Sequence, residues 1–140
     1  MKFNSLKAGA LLVGLFLSTN LLATGPRNFV TKNYTPYQSN AIVKNIKSPY
    51  PTPAGTATSP AIRAVPWIQL RMICGVVATE CTAKILMKTD TANPIEVGEG
   101  TLRISDGDIT PKEMVKNGFR LTSPEAGVIE IREVDPTVPK

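Results

Sequence analysis

Histidine is absent from all 140 residues. That absence removes the usual general base, the Ser-His and Cys-His nucleophile pairs, and the commonest metal ligand. Cysteine occurs twice, and aromatic residues make up 6% of the chain. Two cysteines without histidine are a poor metal set. Gly98, Gly100 and Gly107 precede no Gly-Lys-Ser/Thr and open no helix, so no phosphate loop is present. Acidic residues are missing from Thr24 to Pro66, which carries five basic ones: Arg27, Lys32, Lys44, Lys47 and Arg63. From Trp67 to Lys140 there are nine basic and eleven acidic residues. The overall net charge of +5 is modest, and no nucleic-acid partner is expected.

Long apolar runs are scarce too. The longest, Ala8 to Leu17, is ten residues, against about 20 needed to span a bilayer. It comes after the basic Lys2 and Lys7 and precedes Ser18-Thr19-Asn20 and Leu21-Leu22-Ala23. This order of zones predicts a signal peptide over 1–23, cut near Ala23, and a mature chain that does not span the membrane. The nearest cysteine to the cut is Cys74, so no lipid anchor is expected. The short two-lysine leader is bacterial in style, and the product is expected in the periplasm or outside the cell. The chain beyond Ala23 suffices for one small domain.

Residues 24–66 hold seven of the twelve prolines among Ser, Thr, Asn and Gly. Proline removes a ladder donor and biases its predecessor toward extended chain, so this segment reads as a basic, mostly disordered arm. Ala41-Ile42-Val43 with Ile46 is its one candidate for a short edge strand. All three tyrosines, Tyr34, Tyr37 and Tyr50, lie here and are candidate partner contacts. Asn33-Tyr34-Thr35 has the form of a glycosylation acceptor, which carries little weight behind a bacterial leader.

From Trp67 the pattern becomes period two. Ile68, Leu70, Met72 and Cys74 alternate with their neighbours, as do Cys81, Ala83, Ile85 and Met87. Two half-buried strands are predicted, joined by a hairpin loop over 75–80. Placing Cys74 opposite Cys81 puts the apolar residues of both strands on one face, with Cα atoms about 4.5–5.5 Å apart. This register predicts a disulfide between Cys74 and Cys81, as expected of two cysteines in an exported chain. Val76, Val77 and Thr79 would stand at the tip of the clamped loop as candidate partner contacts.

Ile95–Val97 and Thr101–Ile104 read as strand pieces whose apolar parity switches, which predicts a glycine-assisted bulge at Gly98-Glu99-Gly100. Ser105-Asp106-Gly107-Asp108 is a turn, although its aspartates are also calcium candidates. Thr110-Pro111-Lys112-Glu113, stopped by Asn117-Gly118, predicts a short helix. Phe119–Thr122 and Val128–Val134 predict a second hairpin.

The expected architecture is all-β: a small antiparallel sandwich or open barrel over 67–135 with one short helix, then a tail at 136–140. Glu96, Glu99, Glu130 and Glu133 are the carboxylates available for acid/base work, and nothing in their spacing puts two on one wall. The leading expectation is an exported, non-enzymatic binding module that recognises an unidentified protein or cell-surface ligand and needs no cofactor. Alternatives are a secreted inhibitor of a foreign hydrolase working through the 75–80 loop, and an envelope-associated structural protein using the basic arm.

Overall fold

The structure is a computed structural model that describes residues 26–134; the expected leader over 1–23 and the tail at 136–140 lie outside the described residues. The elements are β1 (Asn28–Asn33), β2 (Ser39–Val43), β3 (Ile46–Lys47), β4 (Ala61–Pro66), α1 (Trp67–Cys74), β5 (Glu80–Met87), β6 (Ile95–Arg103), β7 (Ile109–Thr110), β8 (Glu113–Lys116), β9 (Phe119–Thr122) and β10 (Val128–Glu133). They form two five-stranded sheets, ordered β4-β1-β10-β9-β8 and β3-β2-β5-β6-β7. The pairing is antiparallel except between β1 and β10, which run parallel. The inner faces share one core, including Met87, Val97 and Leu102 from one sheet and Leu121, Ile129 and Ile131 from the other. The all-β sandwich is therefore the architecture. Among the described residues no helix is long and apolar enough to cross a membrane.

Two elements exchange their expected roles. The segment 67–74 is helical: Trp67 and Cys74 are buried two helical turns apart, while Ile68 and Met72 are 71% and 69% exposed. Hydrophobic period two and a short amphipathic helix share Leu70 and Cys74. Burial of Trp67 against the Ile104 carbonyl decides for the helix, with Leu, Gln, Arg and Met compatible with it. There is thus no hairpin of α1 with β5. Conversely, the helix expected after Pro111 is strand β8, paired with β9. Asn117 and Gly118 take φ of 53° and 87°, which makes them the two central residues of a hairpin turn where a helix stop was expected. Met114 points inward from β8 and packs over Gly98, where an added Cβ would lie 2.8 Å from the methionine sulfur.

Residues 28–66 are folded, so the disordered arm and the boundary at 66/67 are corrected. They supply β1–β4, strands of both sheets. The prolines fall where they cost little: Pro26 precedes β1, Pro36 sits in a turn, Pro49, Pro51 and Pro53 lie in the β3–β4 connection, and Pro66 ends the edge strand β4. Polar side chains fix that connection. Asn33, fully buried, donates through Nδ2 to the carbonyls of Tyr37 (2.6 Å) and Pro53 (2.9 Å), and its Oδ1 accepts from the Thr35 hydroxyl (2.8 Å). Its amide is therefore spent inside the fold and is no glycosylation acceptor. Ser39 and Thr52 exchange both backbone bonds, and Arg63 Nε donates to the Pro51 carbonyl at 2.8 Å. Strands β2 and β3 confirm the short strand expected at Ala41–Val43 and Ile46.

Strands β6, β9 and β10 fall where strands are expected, and β7 is an additional short strand beside β6. The second hairpin is β9–β10, and β6 carries the bulge: Ile85 pairs with Gly98 and Leu86 with Glu96, leaving Val97 extra.

Candidate functional site

Helix α1 connects the edge strand β4 of one sheet to the central strand β5 of the other. Pro66 leads into it in extended conformation, and no side chain caps its start. Tertiary contacts hold it instead. The Trp67 backbone N–H donates to the Arg27 carbonyl at 3.0 Å, and its indole Nε1 donates to the Ile104 carbonyl at 3.3 Å. At the other end Cys74 is bonded to Cys81 with Cα atoms 5.4 Å apart, so the expected disulfide forms between a helix end and a strand start. Gly75, at φ 112°, turns the chain out of the helix, and the Ala78 N–H donates back to the Gly75 carbonyl at 3.0 Å.

This pinned turn presents an apolar ridge. Ile68 and Met72, four residues apart, lie on one side of α1, and Val76 and Val77 continue into the loop at 66% and 93% exposure. Thr79 is exposed beside them, with its carbonyl accepting from the Ile104 N–H at 2.9 Å. Arg71, exposed in the last helical turn, donates to the Val76 carbonyl at 3.1 Å and stiffens the loop. Lys44 reaches the same turn, its Nζ lying 3.1 Å from where a Gly75 Cβ would stand. The result is a small, rigid apolar surface bordered by cations, chemically suited to contact.

The expected contact residues are divided. Val76, Val77 and Thr79 share the ridge, and Tyr50 borders α1 through a 2.5 Å hydrogen bond from its hydroxyl to Gln69. Tyr34 and Tyr37 lie just past β1 at its opposite end. There Tyr37 packs edge-on against Phe119 at 6.1 Å with Lys88 over its ring, and Tyr34 lies under Arg132 at 3.9 Å. Both are partly buried. The sequence reading missed Ile68 and Met72, which the helical spacing Trp67/Leu70/Cys74 would have turned outward.

The candidate carboxylates are dispersed. Glu96 and Glu99 are on β6, Glu130 and Glu133 on β10 of the other sheet, and Glu99 and Glu130 lie on outward faces. Glu96 pairs with Lys116 and Glu130 with Arg132. Asp106 receives two bonds from Arg103, at 3.0 and 2.8 Å, and one from the Asp108 N–H at 3.0 Å, and Asp108 pairs with Lys112. The side-chain hydrogen bond from Arg103 holds the Asp106 carboxyl down to about 2. These aspartates form a charge-closed turn. Among the described residues no group of three or more acidic or cysteine side chains is gathered for a metal. The five cations of 24–66 lie on or beside β1, β2, β3 and β4.

The chain is similar to known proteins over nearly its whole length. A family model described as the type II secretion system substrate NttC matches residues 3–134. The crystal structure of the Legionella pneumophila type II secretion system substrate NttC matches with a TM-score of 0.72 at 36% identity, over 78% of this chain and 99% of that one. No curated protein matches. A sandwich of this topology, closed by an oxidised cysteine pair and shared with a secreted relative, places the chain in the NttC family of type II secretion substrates and makes it an exported protein.

Proposed function

We propose that this exported protein is a non-enzymatic binding module that engages a protein or cell-surface ligand through the ridge of Ile68, Met72, Val76 and Val77. The observation that carries the reading is the exposure of these four large apolar side chains on a turn fixed by a disulfide. Burying each against a partner would gain about 1.5–3 kcal/mol, and a pre-ordered surface loses little entropy on binding. A hydrolase inhibitor that inserts the 75–80 loop alone would use Val76 and Val77 and leave Ile68 and Met72 without a role. The wider ridge therefore favours a flat docking surface over a wedge. The non-enzymatic part is supported by the lack of histidine and by carboxylates split between two sheets, of which Glu96 and Glu130 are paired with cations.

The test compares cell-surface and immobilised-protein binding by the wild type, Met72→Asp, Val77→Asp and the control Val115→Asp, which alters an exposed apolar residue on β8. Losses of tenfold or more are expected for the first two variants and none for the control, with unfolding midpoints unchanged. Equal binding by all four proteins overturns the ridge. Turnover of a hydrolase substrate by the purified protein overturns the non-enzymatic reading.

A further inference from the structure

Between the two sheets, on the side closed by α1 and the 48–52 segment, lies a half-open cavity of about 100 Å³. Its wall is mostly apolar, with Phe29 from β1, Leu70 and Ile73 from α1, and Ile85 from β5. Arg63, Ser39 and Thr52 are among the polar residues that interrupt it. Arg63 lies on the inward face of β4, between Ala61 and Val65, and only its Nε is used, on the Pro51 carbonyl. Among the described residues no carboxylate pairs with it. Ser39 and Thr52, only 2% and 3% exposed, bring their hydroxyls to the same wall. An inward-facing cation normally finds an anion.

We propose that this cavity is a binding site for a short-chain aliphatic carboxylate. The carboxylate is held by the Arg63 guanidinium with donation from the Ser39 and Thr52 hydroxyls, and the alkyl tail lies among Phe29, Leu70, Ile73 and Ile85. A planar guanidinium with free N–H groups matches a carboxylate in geometry and charge. An apolar cavity of about 150 Å³ accepts the six carbons of benzene, so this half-open one of about 100 Å³ fits a tail of roughly four to five carbons. Unlike the ridge, which is an outer surface, the site lies inside the sandwich, and its test is independent of that reading.

Hexanoate is the probe, titrated into the oxidised full-length protein while the methyl NMR signals of Leu70, Ile73 and Ile85 are tracked. Saturable shifts confined to these methyls are expected, with hexan-1-ol binding more weakly. Arg63→Gln is expected to weaken hexanoate about tenfold or more and to leave hexan-1-ol nearly unaffected. Ala83→Leu, which adds bulk to the cavity wall, is expected to abolish both. Wild-type shifts that fail to saturate overturn the site. Equal hexanoate affinity in a folded Arg63→Gln protein, or equal affinity for acid and alcohol, overturns the carboxylate assignment.

Discussion

Asp106 shows how a single exposed residue organises a turn. Its carboxylate takes two bonds from Arg103 and one from the Asp108 backbone, which lowers its pKa to about 2. Because the folded-state value lies below the ordinary carboxylate value, the interaction stabilises the fold above the ordinary range. That stabilisation fades as pH falls toward about 2. Water and salt screen so open a pair, so the gain is small. A carboxyl NMR titration should give Asp106 a midpoint near 2, moving upward in Arg103→Gln. A midpoint at the ordinary value in the wild type would refute the pairing. This turn was legible in Ser105-Asp106-Gly107-Asp108 because its chemistry is local. Asn33 was not, because its partners are the carbonyls of Tyr37 and Pro53, the latter 20 residues away.

At the level of elements, the disulfide was readable and its setting was not. Pairing of Cys74 with Cys81 needs only proximity, which a hairpin and a helix–strand corner both provide. The alternation of Ile68, Leu70, Met72 and Cys74 satisfied a strand on paper, yet the burial of Trp67 against Ile104 selects the helix. Local pattern cannot register that contact 37 residues away. The same applies to Glu113–Lys116, where pairing with β9 outweighs a plausible helix start. With a sequence separation of 7, the Cys74–Cys81 crosslink closes a short loop and contributes about 2–3 kcal/mol. Replacing both cysteines with serine should lower stability in urea by about that amount. It should also raise amide exchange in 75–80 while leaving β9–β10 protected. Unchanged exchange in the loop would show that Arg71 and the turn hold it unaided.

The whole molecule depends on the segment the sequence presents as a linker. Strand β1 sits between β4 and β10, and β2 between β3 and β5, so both sheets lose interior strands without residues 28–66. A chain starting at Trp67 is therefore expected to show no cooperative unfolding transition, whereas one starting at Pro26 should melt as a single unit. Circular dichroism during heating distinguishes them, and a cooperative transition in the shorter chain would restore an autonomous core domain. Proline content misled here because strands of six residues or fewer fit between the prolines, and one edge strand ends on one.

The parallel seam between β1 and β10 has a temporal corollary. Strand β1 completes its pairing only with β10, far along the chain, Val30 meeting Val128 and Asn33 meeting Ile131. Until β10 has been made, its sheet has a gap beside β1 and the native state stays out of reach. A polypeptide that must be delivered across a membrane before it locks gains time from such wiring, and its knitting together is deferred to the compartment where its sulfurs can join.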